Sequence, residues 1–339
     1  MPELSPHPLV SVGWSDRVRA LLSPLVARGL VPARVVGVDR GWCRLATPDG
    51  ERSLSAPGMI VGDWVALDGE TVHEVVPRWS ALGRLGPGSG RQLLAANLDL
   101  VLIAVPADRL SSSRVERELV IAWDSGARPV VVLTKLDVAP PGAAGALASR
   151  LGPVDLIATS SVAGEGLDAV RAHLVHPVTA AFMGPSGAGK STLINALLGA
   201  ERLAVGAVRD RDHRGRHTTT SRQLIPLPSG GSVIDMPGLR ALGTDASEEA
   251  VAATFPEIDE LAAGCRFADC AHEIEPGCAV VGAAAAGTLG PARLASYRKL
   301  MRETAFERRR TDPLARKEEA RVWKARTKEQ RRRYRDRER

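Results

Sequence analysis

Hydrophobic positions change period along the chain, and each change marks an element. Val18, Leu21, Leu22 and Leu25 share one face of a 3.6-residue repeat, which predicts an amphipathic helix over 14–27. From 31 to 77 the repeat shortens. The runs ARVVGV, WCRLAT, DWVAL and TVHEVV are separated by turn signals at Asp39-Arg40-Gly41, Pro48-Asp49-Gly50 and Asp68-Gly69, which predicts four or five short strands. Such a set suggests a small barrel of the OB type, a scaffold that binds oligonucleotides in many proteins and serves as a docking module in others. Residues 78–90 are rich in Gly and Pro and read as a linker. Apolar runs then alternate with helical patterns. Strands are predicted at 99–106, 129–133, 155–158, 180–183 and 232–235, with helices at 113–125 and 166–173. The alternation argues for a parallel sheet with helices on both faces. After 247 strand signals stop, and small helices follow, one of them over 291–302.

A chain of 339 residues fits two to three domains. The expected division is a helical extension over 1–30, a barrel with its linker over 31–90, an α/β domain over 91–245, a small α-helical domain over 246–306 and a basic tail over 307–339. No apolar run approaches the roughly 18 residues of a membrane-spanning helix, and the N-terminus lacks a signal-peptide pattern. A soluble, cytoplasmic, monomeric protein with no membrane partner is expected. Four cysteines are too few for a disulfide scaffold. Cys43 falls in a predicted strand and reads as a small core residue.

The net charge of +6 belongs to the end of the chain. Residues 307–339 hold 15 Lys and Arg against 7 Asp and Glu, a surplus of 8, so everything before them sums to −2. Lysine is scarce, 6 against 39 Arg, and only Lys135 and Lys190 lie before the last helical stretch. A chain that otherwise chooses Arg keeps Lys where a compact ammonium suits better than a planar fork.

Both lysines sit in motifs. Gly184-Pro185-Ser186-Gly187-Ala188-Gly189-Lys190-Ser191-Thr192 has the spacing G-x-x-x-x-G-K-[ST], after a predicted strand and before a helix predicted over 192–198. Its glycines let backbone N–H groups curl inward around phosphates, the helix start adds partial positive charge, Lys190 reaches the β- and γ-phosphates, and Ser191 holds Mg²⁺. Asp235-Met236-Pro237-Gly238 follows 45 residues after Lys190. Asp235 suits a contact to Mg²⁺ through water, and the Gly238 N–H can sense the γ-phosphate. Between them a polar loop ends in Gly215-Arg216-His217-Thr218-Thr219-Thr220. A Thr hydroxyl from this run, with Thr218 as the candidate, completes the Mg²⁺ shell; an ordinary strand edge is the alternative.

Thr134-Lys135-Leu136-Asp137 follows the strand predicted at 129–133 and has the guanine-reading pattern N/T-K-x-D. A carboxylate at Asp137 accepts from guanine N1–H and the 2-amino group, a donor pair adenine lacks. Lys135 lies over the ribose and base, and Ser160, in the turn Thr159-Ser160-Ser161, is placed to touch the base O6. In the common small GTPases the phosphate loop precedes the base motif. Here the base motif comes first by about 50 residues, a circular permutation of one fold.

In this order of motifs the chain resembles the circularly permuted GTPases, and specifically the ribosome-small-subunit-dependent GTPases of bacteria. The likeness extends over nearly the whole chain. It includes Gly62-Asp63-Trp64-Val65 in the barrel, Ala96-Asn97-Leu98-Asp99 at the entry to the α/β domain, and Gly215-Arg216-His217-Thr218. It implies a protein that binds GTP and GDP, hydrolyses GTP slowly alone and faster on the small ribosomal subunit, and acts late in that subunit's maturation in contact with its rRNA. One departure is Thr134, where Asn is commonest, which bears on the contact to base N7. Leu239 stands where many GTPases carry a water-orienting Gln, so intrinsic turnover of the order of 10⁻³ s⁻¹ or below is expected. His217 is the candidate catalytic substitute, with an RNA contact or plain packing as the alternatives. Because Gly238 runs almost directly into the last domain, a γ-phosphate-dependent shift there is expected to move that domain.

Cys265-x₄-Cys270-x-His272-x₅-Cys278 offers three thiolates and an imidazole, a set for one closed, structural Zn²⁺. The tail's surplus, with Trp323 and Tyr334, suits a phosphate backbone such as rRNA, or else a solubilising end. Two other classes remain open at this point. One is a P-loop ATPase or nucleotide kinase, which Asp137 and Lys135 oppose. The other is a zinc-containing RNA-binding protein with a vestigial nucleotide site, which intact Lys190, Ser191 and Asp235 oppose.

Overall fold

The computed structural model of the chain describes residues 7–39, 41–85, 91–203, 222–236 and 246–311. The first helix, α1 (Asp16–Val26), begins after Ser15, whose hydroxyl accepts from the Val18 N–H. That cap satisfies one of the free N–H groups of the first turn, and Asp16 suits its positive end. Val18, Leu22 and Leu25 are buried as the repeat predicts, but Leu21 is exposed, so the apolar stripe is narrower than expected.

Five strands follow: β1 (Val31–Asp39), β2 (Trp42–Thr47), β3 (Gly50–Ser55), β4 (Trp64–Asp68) and β5 (Thr71–Val75). They pair antiparallel in the order β3-β2-β1-β4-β5. Their inward residues, among them Val35, Cys43, Leu45, Leu54, Val65 and Leu67, form a separate apolar cluster. The stretch read as a linker contains structure. β6 (Ala81–Leu85) and β7 (Arg91–Ala96) make an antiparallel hairpin. The turn-forming Gly and Pro fall between the two strands, and among the side chains described only Leu82 and Leu94 supply buried apolar bulk, which left the strand signal faint.

The central sheet contains β8 (Leu100–Pro106), β9 (Arg128–Thr134), β10 (Asp155–Ala158), β11 (Thr179–Met183), β12 (Arg222–Pro226) and β13 (Ser232–Asp235). Its order is β10-β9-β8-β11-β13-β12, parallel except for β12. Alternate residues of each strand point to opposite faces. Val101, Ile103, Val131, Ala181 and Ile234 join one apolar cluster with α1 and α2 (Ser112–Asp124). Leu147 of the short α3 (Ala143–Ala148) joins the same cluster. Leu102, Val130, Val132, Phe182 and Val233 join another with α4 (Leu167–His173) and α5 (Lys190–Leu198). The sheet is therefore covered on both sides, as the alternating pattern predicts.

The two β regions are joined edge to edge. Gly37 and Val38 of β1 pair with Gln223 and Arg222 of β12, so one path of hydrogen bonds runs from β10 to β3. Arg34 of β1 is buried at this joint. It donates to the Val12 carbonyl, to Thr179 Oγ1 at 2.9 Å and to the Asn97 carbonyl at 3.3 Å, with its guanidinium over the Trp64 ring. The fully buried Asp63 carboxylate takes both arms of Arg78 at 2.6 and 2.8 Å. Asn97 Nδ2 donates to the Gly62 carbonyl at 2.9 Å, and Asp99 accepts from the Thr179 N–H at 2.8 Å. Gly62 has φ +95°, and an added Cβ would collide with the Ala96 carbonyl.

The last region packs α6 (Glu248–Thr254), α7 (Pro256–Ala262), α8 (Ala279–Ala285) and α9 (Pro291–Thr311) around Val251, Phe255, Ile258, Val280 and Leu300. Val120 of α2 belongs to the same cluster, so this region is built onto the α/β sheet. α9 runs nine residues past its predicted end. The apolar repeat fades after Met301, but the residues beyond are good helix formers, and Arg308, Arg309 and Arg310 suit the negative end.

Candidate functional site

The phosphate loop joins β11 to α5 at the carboxyl end of the parallel strands, where open α/β sheets bind ligands. Gly184 has φ +132°, and a Cβ there would strike the Ala104 carbonyl of β8, so the loop can lie against the sheet only with glycine. Ser186 is exposed, Pro185 and Gly187 are half-buried, and the Ala188 N–H closes the turn on the Pro185 carbonyl at 3.2 Å. Gly189 caps α5, which begins at Lys190 rather than at the predicted residue 192. Lys190 Nζ donates to the Gly184 and Pro185 carbonyls at 2.8 Å each, folded back into its own loop. Burial lowers the Lys190 pKa, while the charges of Glu118 and Asp235 raise it. Ser191 and Thr192 sit half-buried in the first helical turn. Asp235 ends β13; burial raises its carboxyl pKa and Lys190 pulls it back. A serine hydroxyl and a carboxylate are the oxygen donors a Mg²⁺ site uses.

The base motif lies two strands away and touches this loop. Thr134, buried at the end of β9, donates to the Ala188 carbonyl at 2.7 Å. Lys135 takes the left-handed conformation at φ +59°, and its ammonium meets Asp108 Oδ2 at 3.3 Å. Asp137 follows in a short turn with its carboxylate exposed, and it accepts from Ser160 Oγ at 2.6 Å. Ser160 itself is buried beyond β10. The fold thus gathers Thr134, Lys135, Asp137, Ser160 and residues 184–192 at one edge, with Asp235 beside Lys190. His217, Thr218 and Gly238 lie outside the described residues, as does the chain beyond 311.

Two charged residues near this site carry no motif. Asp108 follows β8 and pairs with Lys135, a partnership between residues 27 apart. Glu118 lies on α2 with Oε2 buried and without a hydrogen-bond partner. Burial pushes its pKa up to about 7, against the charges of Arg114 and Lys190. Its one sequence signal is a carboxylate close to the apolar run Leu119 to Ala122.

The Cys and His residues also converge. The ligand atoms of Cys265, Cys270, His272 and Cys278 all lie within 4.8 Å of one another. Cys265 Sγ is 3.8 Å from Cys278 Sγ, and His272 Nδ1 is 3.6 and 3.5 Å from these two sulfurs. A tetrahedron with Zn–S of about 2.3 Å and Zn–N of about 2.0–2.1 Å has S···S edges of about 3.8 Å and S···N edges of about 3.5 Å. The group can hold one metal ion. Burial lowers the His272 pKa, which favours the neutral, ligating imidazole. The Glu275 carboxylate accepts from the Ala271, Glu273 and Ile274 N–H groups and folds the intervening loop.

Comparisons with known proteins agree with this geometry. A family model described as RsgA GTPase matches residues 75–245, half of the chain. A Streptomyces avermitilis protein, "Small ribosomal subunit biogenesis GTPase RsgA", is 45% identical over 94% of this chain and 92% of its own. One of the same name from Opitutus terrae is 42% identical over 93% and 95%. Among solved structures, YjeQ from Thermotoga maritima has a TM-score of 0.62 at 22% identity and covers 81% of this chain and 98% of its own. YloQ, titled "a circularly permuted GTPase", has a TM-score of 0.59 at 24% identity over 81% and 95%. These two share the fold. The rearranged order of the two motifs, brought together at one end of the sheet, thus has its counterpart in known proteins: the chain belongs to the RsgA GTPase family and is a GTP-hydrolysing enzyme.

Proposed function

We infer that this enzyme acts in biogenesis of the small ribosomal subunit, the role printed in the names of its relatives. It binds GTP, meets the subunit and its rRNA, and hydrolyses the nucleotide faster there than alone. The observation that carries the nucleotide part is the 2.7 Å hydrogen bond from Thr134 to the Ala188 carbonyl, which holds the base motif against the phosphate loop. Asp137 accepts from guanine N1–H and the 2-amino group, aimed by Ser160. Lys135 covers the base. Lys190 leaves the Gly184 and Pro185 carbonyls for the β- and γ-phosphate oxygens, while N–H groups of 185–192 surround the phosphates. Ser191 and Asp235, with Thr218, would hold Mg²⁺, which neutralises charge on the phosphates when bound. Gly238 senses the γ-phosphate, and His217 orients the attacking water on the subunit.

The β-rich N-terminal region serves as an OB-type barrel for RNA contact, and the Cys₃His set holds a structural Zn²⁺ with no position left for a catalytic water. The basic tail adds salt-sensitive affinity for rRNA. The enzyme works as a cytoplasmic monomer. Among the described residues, no helix is long and apolar enough to cross a membrane.

The test is nucleotide hydrolysis with GTP and with ATP, with and without purified small subunits, for wild type and Lys190→Ala. GTP turnover should be slow alone, rise severalfold or more on subunits, and vanish in the variant. Equal turnover of ATP, or no response to subunits, would refute this reading.

A further inference from the structure

The two long polar side chains of the base motif are each held by a partner outside it. Asp137 accepts from Ser160, which lies beyond β10. Lys135 meets Asp108, which lies just past β8. The strand order β10-β9-β8-β11 puts these partners on opposite sides of the motif, with Asp108 on the side of the phosphate loop. The ladder explains why Asp108 and Lys135 meet. Pro106 and Thr134 are the last paired residues of β8 and β9 and stand opposite each other. Past them both strands leave the sheet at the same edge. Buried Ala107 seats the short turn of 107–109 that carries Asp108. The backbone of Lys135 is fixed as well. The Leu136 N–H donates to the Thr159 carbonyl at 3.0 Å, and the Val138 N–H donates to the Lys135 carbonyl at 3.2 Å. These bonds hold Lys135 at φ +59°, a conformation that side-chain-bearing residues keep only where the surroundings impose it. What the backbone leaves open is the lysine stem, one of the side chains with most rotamer freedom to lose. The Asp108 carboxylate, 3.3 Å from Nζ, settles that choice.

We propose that Asp108 is a positioning residue of the base site: it holds the Lys135 ammonium on the phosphate-loop side, so that the stem lies ready across the face of the purine and ribose. This rests on the reading that Lys135 covers the base. A free stem is ordered only when the nucleotide arrives, and that ordering subtracts from affinity. Asp108 orders it beforehand. The stem meets the flat face of the ring, whereas Asp137 reads its edge. The gain from Asp108 is therefore common to GDP and GTP and independent of the γ-phosphate. Asp108 also has an opposite effect, because a carboxylate near an anionic nucleotide repels it. The two effects separate in a protein without the Lys135 ammonium, where only the repulsion remains. Arg109 Nε stands 3.7 Å from the same Asp108 oxygen, but its side chain is mostly exposed and lies outside the base motif.

The experiment is calorimetric titration of the full chain with Mg²⁺ and either GDP or a non-hydrolysable GTP analogue. Four proteins are compared: wild type, Asp108→Asn, Lys135→Ala and the double variant. Asn keeps the shape of Asp on an exposed turn and removes the charge. Asp108→Asn should bind both nucleotides about threefold more weakly, the scale of a partly exposed ion pair. In the Lys135→Ala background the same substitution should leave affinity unchanged or raise it. That dependence on Lys135 is what a merely structural role of Asp108 lacks. A similar loss in both backgrounds, no loss in the presence of Lys135, or a loss for the triphosphate alone would overturn the proposal. Lys135→Ala by itself should weaken both nucleotides. Binding like wild type would instead overturn the reading of Lys135 on which the proposal rests.

Discussion

Thr134 shows how much one side chain contributes at the residue scale. The TKLD pattern names it as a base-motif residue, but its hydroxyl is used on the Ala188 carbonyl, 54 positions along the chain. Nothing local announces that bond, because it forms only when β9 and β11 flank β8. Thr134→Val keeps the shape and removes the donor, leaving a buried carbonyl unpaired. GTP affinity should fall about fivefold, near 1 kcal/mol, in a titration, with hydrolysis per bound nucleotide little changed. The phosphate loop was legible in full, since its residues are consecutive and its glycines answer to backbone shape. Asp108 and Glu118 were not, because a lone carboxylate has no spacing to read.

At the scale of elements, β8 to β11 and β13 and the helices α2, α4 and α5 were read to within two residues, because long apolar runs and clear turns bound them, whereas the edge strand β12 and the short, Ala-rich α3 were not read at all. The β6–β7 hairpin was not, since its small residues resemble a linker. The Cys/His region was legible as a ligand set, and its helices depend on those ligands. Cys278 Sγ caps α8 by accepting from the Val281 N–H at 3.4 Å, and His272 of the ligand set adjoins Tyr297 of the Phe255–Tyr297 pair. Removing the metal should therefore unfold α8 and loosen α9. Mass spectrometry of the native protein should find one zinc per chain, and a strong chelator should lower both helical content and the melting temperature. A metal-free protein with unchanged helicity would contradict the structural role.

At the scale of the whole molecule, the decisive feature is a strand pairing that joins two β regions. Pairing of β1 with β12 links residues almost 190 apart, which no repeat or turn signal foretells. The Gly62-Asp63-Trp64 and Asn97-Leu98-Asp99 segments, noticed as marks of resemblance, prove to be the parts of this joint. Arg34 links them by its hydrogen bond to the Asn97 carbonyl, its guanidinium over the Trp64 ring and its field on Asp99, and it also donates to the Val12 carbonyl and Thr179 Oγ1. Replacing it with Met removes those bonds and leaves Asp99 buried with less compensation. Chemical unfolding should show a loss of about 3 kcal/mol. A change below roughly 0.5 kcal/mol, the scale of ordinary surface substitutions, would mean that the joint bears no load.

The central claim is that a permuted chain rebuilds one guanine-nucleotide pocket from Asp137 and the loop around Lys190. Its most direct test is a side-by-side calorimetric titration of wild type and Asp137→Ala with Mg²⁺ and non-hydrolysable analogues of GTP and ATP. Wild type should bind the guanine analogue at least a hundredfold more tightly, and Asp137→Ala should erase most of that preference. Equal affinity of wild type for the two, or an unaltered preference in Asp137→Ala, would contradict it.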